Sequence, residues 1–139
     1  MNKVFFKFPE YAENEEDIVN YLKPEFNKIC YNSVRASIIH LLMKSKELDN
    51  CLSVEVIARK LGKRHSVVIH HLEKLMSWGV VDIVKTYKYG EKEKRSIWGL
   101  NKKYPNLIFS LYNYMIRTFY TINELEEMCS ININVRRMS

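Results

Sequence analysis

The chain has 139 residues, 47% hydrophobic and 27% charged, enough apolar material for one small core and too much for a disordered chain. Four glycines and three prolines exclude collagen-like and Gly-rich repetitive folds. Lys and Arg outnumber Asp and Glu by 22 to 16, a net charge of +6, a balance that suits a polyanionic partner.

The positive charge is concentrated. Residues 53–103 carry twelve Lys and Arg against five Asp and Glu, whereas residues 1–33 carry four against six and residues 104–139 three against three. The sequence contains no GxGxxG, GxxxxGK(S/T), HExxH, GxSxG or CxxC, so it lacks the handles of a nucleotide-using, zinc-dependent or serine-hydrolase enzyme. We expect no enzymatic activity, no cofactor and no metal site. Cys30, Cys51 and Cys129 are odd in number and widely spaced; they form neither a metal signature nor a disulfide framework. They read as packing residues before redox switches. The apolar patch from Met1 to Pro9 is too short for a signal-peptide core. The long stretch from Tyr104 to Ile122 is broken by Pro105, Asn106, Ser110, Asn113, Arg117, Thr118 and Thr121, which argues against a membrane span. A cytoplasmic protein is expected.

In chain order, residues 1–13 read as an irregular or short-strand lead-in. Asn14 is a helix cap, followed by an acidic first turn, Glu15-Glu16-Asp17, that suits the positive helix end. That helix should stop near Lys23, because Pro24 disfavours helical geometry in the residue before it. A second short helix then spans Glu25 to Tyr31. Ser33 is expected to cap a third, with Val34, Ile38, Leu41, Leu42 and Ser45 on one face. Lys46 to Leu52 reads as a polar connection.

Ser53 caps the next helix, with Val54, Ile57, Ala58 and Leu61 at helical spacing and Gly62 as its stop. The connection Gly62-Lys63-Arg64-His65 leads into a helix from Ser66 to Trp78, closed by Gly79, whose apolar stripe is Val68, Leu72, Leu75 and Met76, with His71 at its edge. Two short helices joined by a Gly-containing turn form a helix-turn-helix pattern. Val80 to Tyr87 reads as a strand, Lys88 to Arg95 as a charged loop and Ser96 to Leu100 as the return strand. From Pro105 one long helix is expected to about Cys129, with Ile131 to Ser139 as a flexible tail carrying Arg136 and Arg137.

The fold class expected is therefore mostly α with a small β-hairpin: a winged helix-turn-helix with extra N-terminal helices and a long C-terminal helix. Residues 1–32 form the N-terminal extension, 33–102 the winged domain, 103–130 a dimerisation helix and 131–139 the tail. The stripe Leu107, Ile108, Leu111, Tyr112, Met115, Phe119 and Ile122 is too wide to cover one small core. It is expected, with the N-terminal helices, to form a homodimer interface.

The segment from Val34 to Asn101 resembles ArsR-like (also MarR-like) winged-helix transcriptional regulators of archaeal or bacterial type. The residues carrying the likeness are Leu52-Ser53-Val54-Glu55-Val56-Ile57-Ala58-Arg59-Lys60-Leu61-Gly62, Val68-Ile69-His70-His71-Leu72-Glu73-Lys74-Leu75, Trp78-Gly79-Val80-Val81 and Ile97-Trp98-Gly99-Leu100. The resemblance implies a dimer on double-stranded DNA. Metal-sensing members carry cysteines in the first helix of the motif, or His and acidic ligands on the C-terminal helix; here 54–61 has no Cys and 104–139 no His. The usual Ser or Thr cap before the recognition helix is replaced by Arg64.

Candidate DNA contacts follow from helical geometry. Ser66 and His70 point away from the core and are the candidates for base edges, with Val67 and Ile69 against thymine methyls. Lys63, Arg64 and His65 sit at the turn, where phosphates are favoured, with Lys74 further along the helix. Lys88, Lys92, Lys94 and Arg95 form a basic wing for flanking backbone or minor groove. The alternative is a winged-helix protein–protein interaction module, in which the wing charge serves only solvation.

Overall fold

The computed structural model describes residues 15–89 and 93–130; the lead-in and the tail lie outside them. Six α-helices, a short 3-10 helix and three strands are present among the described residues. Helix α1 spans Glu15–Tyr31 without interruption and contains Pro24, where the sequence suggested two helices. Pro24 and Asn20 are both exposed, so the carbonyl that loses its bond to the missing proline N–H lies on the solvent side, and the kinking penalty is moderated by water. The inner face of the helix, Leu22, Phe26, Ile29 and Cys30, is buried.

Helix α2, Ser33–Lys44, is the centre of the molecule, with every residue from Ala36 to Leu42 buried. A helix covered on all sides has neighbours on all sides. Its cap is Asn32, not Ser33: the Asn32 Oδ1 accepts from the N–H groups of Val34 at 2.9 Å and Arg35 at 3.1 Å. The expected polar connection after it contains a 3-10 turn at Lys46–Leu48, two left-handed residues, Asp49 and Asn50, and a three-residue strand β1, Cys51–Ser53. Helix α3, Val54–Leu61, is capped by Ser53, as the sequence indicated. Helix α4, His65–Ser77, follows after a turn whose Gly62 takes φ 63°, a conformation that favours glycine.

Strands β2, Val81–Tyr89, and β3, Glu93–Leu100, pair antiparallel, and β1 joins on the far side of β3 to give the order β1-β3-β2. The ladder shifts between Ile83 and Lys85, leaving Val84 as an extra residue in β2. The sheet faces inward through Leu52, Val81, Trp98 and Leu100. The expected single C-terminal helix is two: α5, Pro105–Thr118, and α6, Ile122–Met128. Thr121 and Glu124 form a reciprocal capping box that starts α6 as a separate element.

Helix α5 packs against α1. Phe26 and Tyr114 bring their rings to 5.8 Å, and the Tyr114 hydroxyl donates to Asn27 Oδ1. Leu107, Ile108, Leu111 and Met115 are all buried within this one chain, which corrects their assignment to a dimer surface. The wide apolar stripe is wide because it serves both the central helix and α1. Helix α6 is fastened to α2 by Leu125, Cys129 and a polar link. His40, only 3% exposed, has Nδ1 2.8 Å from the Tyr112 hydroxyl and Nε2 2.5 Å from Glu126, which also takes Lys44 at 2.5 Å. Among the described residues no helix is long and apolar enough to cross a membrane.

Candidate nucleic-acid interface

The turn between α3 and α4 is held by main-chain bonds: Gly62 N–H to Arg59 O at 3.3 Å and Lys63 N–H to Ala58 O at 3.0 Å. Main-chain closure leaves the side chains of Lys63 and Arg64 exposed. Helix α4 begins one residue earlier than Ser66, with Arg64 as its cap in extended geometry. Arginine has no side-chain acceptor. Among the described residues no side chain accepts from the N–H groups of His65 or Ser66. The start of α4 thus presents unoccupied donors and two basic side chains together, an arrangement that attracts anions.

The outward face of α4 carries His65, Ser66, Val67, Ile69, His70 and Lys74, all exposed, over a fully buried row of Val68, Leu72 and Leu75. Val67 and Ile69, apolar residues on a polar face, are 36% and 39% exposed. Every turn and helix residue singled out by the sequence therefore lies on one outer surface.

His71 is half-buried and its Nδ1 lies 3.3 Å from Arg35 Nη1 of α2. A guanidinium only donates, so His71 Nδ1 is the acceptor and the ring is neutral. Burial, reinforced by the charges of Arg35, His70 and Lys74, holds the His71 pKa below its ordinary value. Arg35 also donates to Lys28 O at 2.9 Å and Ile29 O at 3.3 Å, and lies over the Trp78 ring at 5.4 Å. One guanidinium thereby fixes the end of α1 and the back of α4 to α2. No local signal marks this junction, since Arg35 and His71 are 36 residues apart.

In the hairpin, Arg95 forms an ion pair with Glu55 of α3. It ties the outer part of the hairpin, where Arg95 pairs with Tyr87, to α3 as well as adding positive charge. Lys92 and the side chains of Lys88 and Lys94 lie outside the described residues. The outer surface of β2 adds two residues that the sequence reading omitted: Lys85, with its Nζ 4.9 Å from the Tyr87 ring, and Tyr87 itself, 41% exposed. Their i, i+2 spacing in a strand was the available sign.

Of the seven residues expected at a dimer interface, Ile122 is exposed, at 51%. Tyr112 is occupied by His40, and Phe119 lies among Tyr114 and Tyr120. Burial pushes the Cys30 thiol up to about 12 and Cys129 up to about 11, unlike the depressed values of redox-reactive thiols. Among the described residues no group of three or more His, Cys, Asp and Glu could hold a metal ion. No protein-family model, curated protein or solved structure matches this chain.

Proposed function

We propose that the chain is a winged helix-turn-helix regulator of the ArsR-like kind that binds double-stranded DNA, with α4 as the recognition helix in the major groove and the hairpin on the flanking backbone. The observation that carries this reading is the exposed α4 face: Lys63 and Arg64 at uncapped N–H groups, followed by Ser66, Val67, Ile69 and His70 over a buried apolar row. Phosphate contacts at the turn give affinity and register, and base contacts along the helix give discrimination. The reading does not call for catalysis. A homodimer belongs to the proposal, because two recognition helices about 34 Å apart match one DNA turn. Its surface would draw on apolar residues that the chain's own core leaves exposed, notably Phe109 at 57% and Ile122.

The test is fluorescence anisotropy on random-sequence duplex DNA across a salt series, for the wild type and Lys63→Ala/Arg64→Ala. Affinity should fall steeply with salt, and the double variant should lose about 0.9 of slope for each phosphate contact removed. Absence of binding at low salt overturns the proposal and favours a protein partner for the same face.

A further inference from the structure

The Arg35 junction also opens a cleft to the outside. Asn27, Lys28 and Tyr31 of α1, Arg35 of α2, and Lys74 and Trp78 at the end of α4 line an open space of about 470 Å³. Three cations from three different helices converge there, with Glu25 as a neighbouring carboxylate, 3.7 Å from Lys28 and accepting from Trp78 Nε1 at 3.3 Å. Arg35 directs three of its N–H donors at Lys28 O, Ile29 O and His71 Nδ1; a guanidinium has five, so two are left for a ligand. Among the described residues no carboxylate pairs with Arg35, although burial already lowers its pKa. A partly desolvated cation without a counter-ion is an unmet electrostatic demand.

Ser66, His70 and Lys74 follow one another at four-residue steps along the exposed side of α4, so they form one row. The row starts at the basic turn and ends in the cleft. Tyr31, 79% exposed, adds a hydroxyl donor and a ring at its outer wall. An open, cationic surface continuous with the α4 face suits a polyanionic strand lying along it better than an enclosed small molecule.

We infer that this α1–α2–α4 cleft is a further phosphate-binding surface, which carries the DNA backbone past the recognition helix and makes α1 part of the footprint. The inference rests on the DNA-binding reading above and concerns residues outside the turn and the hairpin. Lys28 contributes its charge from α1 and has a 66% exposed side chain, so Lys28→Gln leaves the core intact.

The anisotropy salt series is repeated with Lys28→Gln and with Lys46→Gln, an equal charge loss at the opposite end of α2. Lys28→Gln should flatten the slope by about 0.9, so that the affinity ratio between 50 and 200 mM salt shrinks about threefold. Lys46→Gln should match the wild type. If Lys28→Gln also matches the wild type while Lys63→Ala/Arg64→Ala flattens the slope, the cleft inference is overturned and the DNA-binding reading stands. If the wild type does not bind DNA at all, both fall together. Equal losses in both Lys→Gln variants also overturn the inference, because the effect is then overall charge rather than a contact.

Discussion

His71 is the residue whose chemistry is most tightly specified. Its Nδ1 must stay unprotonated to accept from Arg35, and burial holds the native pKa below the ordinary histidine value of about 6.5. As pH falls, the unfolded chain takes up this proton before the folded one does. The stabilisation is therefore complete above about 6.5 and is lost as pH falls from there through the lower native value. Thermal unfolding midpoints between pH 8 and 5 should decline for the wild type. They should decline less for His71→Gln, whose amide oxygen accepts without titrating; equal declines would remove His71 as the cause. At this scale the sequence was most legible where the signal is local. Ser53 and Gly62 bound α3 as their side-chain chemistry requires. Ser33 was expected as the cap of α2, but Asn32, an equally good capping residue one position earlier, takes that place. The Arg35 junction was invisible for a stronger reason: it joins α1, just before Arg35, to His71 of α4 and Trp78 at its end, with His71 36 residues further on.

Among the elements, α6 shows how a short helix is kept in place. Seven residues are too few to be helical alone. The helix persists through the capping box and its docking on α2 by Leu125, Cys129 and the Glu126 link to His40 and Lys44. Glu126 has its pKa lowered mainly by its hydrogen bonds to Lys44 and His40, which favours the ionised form that both partners bind. Thr121→Ala removes one half of the capping box and should destabilise the protein by about 0.5–2 kcal/mol, measured by urea unfolding with an unchanged m-value. A change below that range would mean that docking alone holds α6. The Thr121-x-x-Glu124 signature was present in the sequence. The apolar steps from Met115 to Ile122 and Leu125 run through it, and periodicity does not register a break that preserves the period. Pro24 misled in the opposite sense. Proline forbids one hydrogen bond and not the helix, and on an exposed face water replaces what is lost. Strand β1 was missed because three residues are too few to display an alternation, and its identity as a strand depends on β3 lying beside it.

At the scale of the molecule, the order of helices, turn and hairpin could be read from the sequence, but which surfaces remain outside could not. Leu107, Ile108, Leu111 and Met115 look the same in sequence whether a second copy or α1 covers them. The α4 face was legible because its burial follows directly from helical period: Val68, Leu72 and Leu75 point one way and the polar residues the other.

The extra residue in β2 has a bearing on how this molecule meets other copies of itself. In the order β1-β3-β2, strand β2 has a neighbour on one side only among the described residues, and it is nine residues long with Ile83, Val84 and Tyr87 exposed. Such a strand is a template for unwanted pairing, and natural sheets blunt it with bulges and lysines. Val84 and Lys85 supply one of each, at the middle of the strand where a second chain would otherwise lie flat. Deleting Val84 removes the bulge and leaves Ile83–Trp98 and Lys85–Ile97 as consecutive pairs of a regular, straighter ladder. Size-exclusion chromatography with light scattering should then find high-mass species absent from the wild type, and a monodisperse deletion variant would show that Lys85 alone is an adequate guard. The same irregularity that interrupts the hairpin is thus placed to oppose pairing of its open strand with another chain.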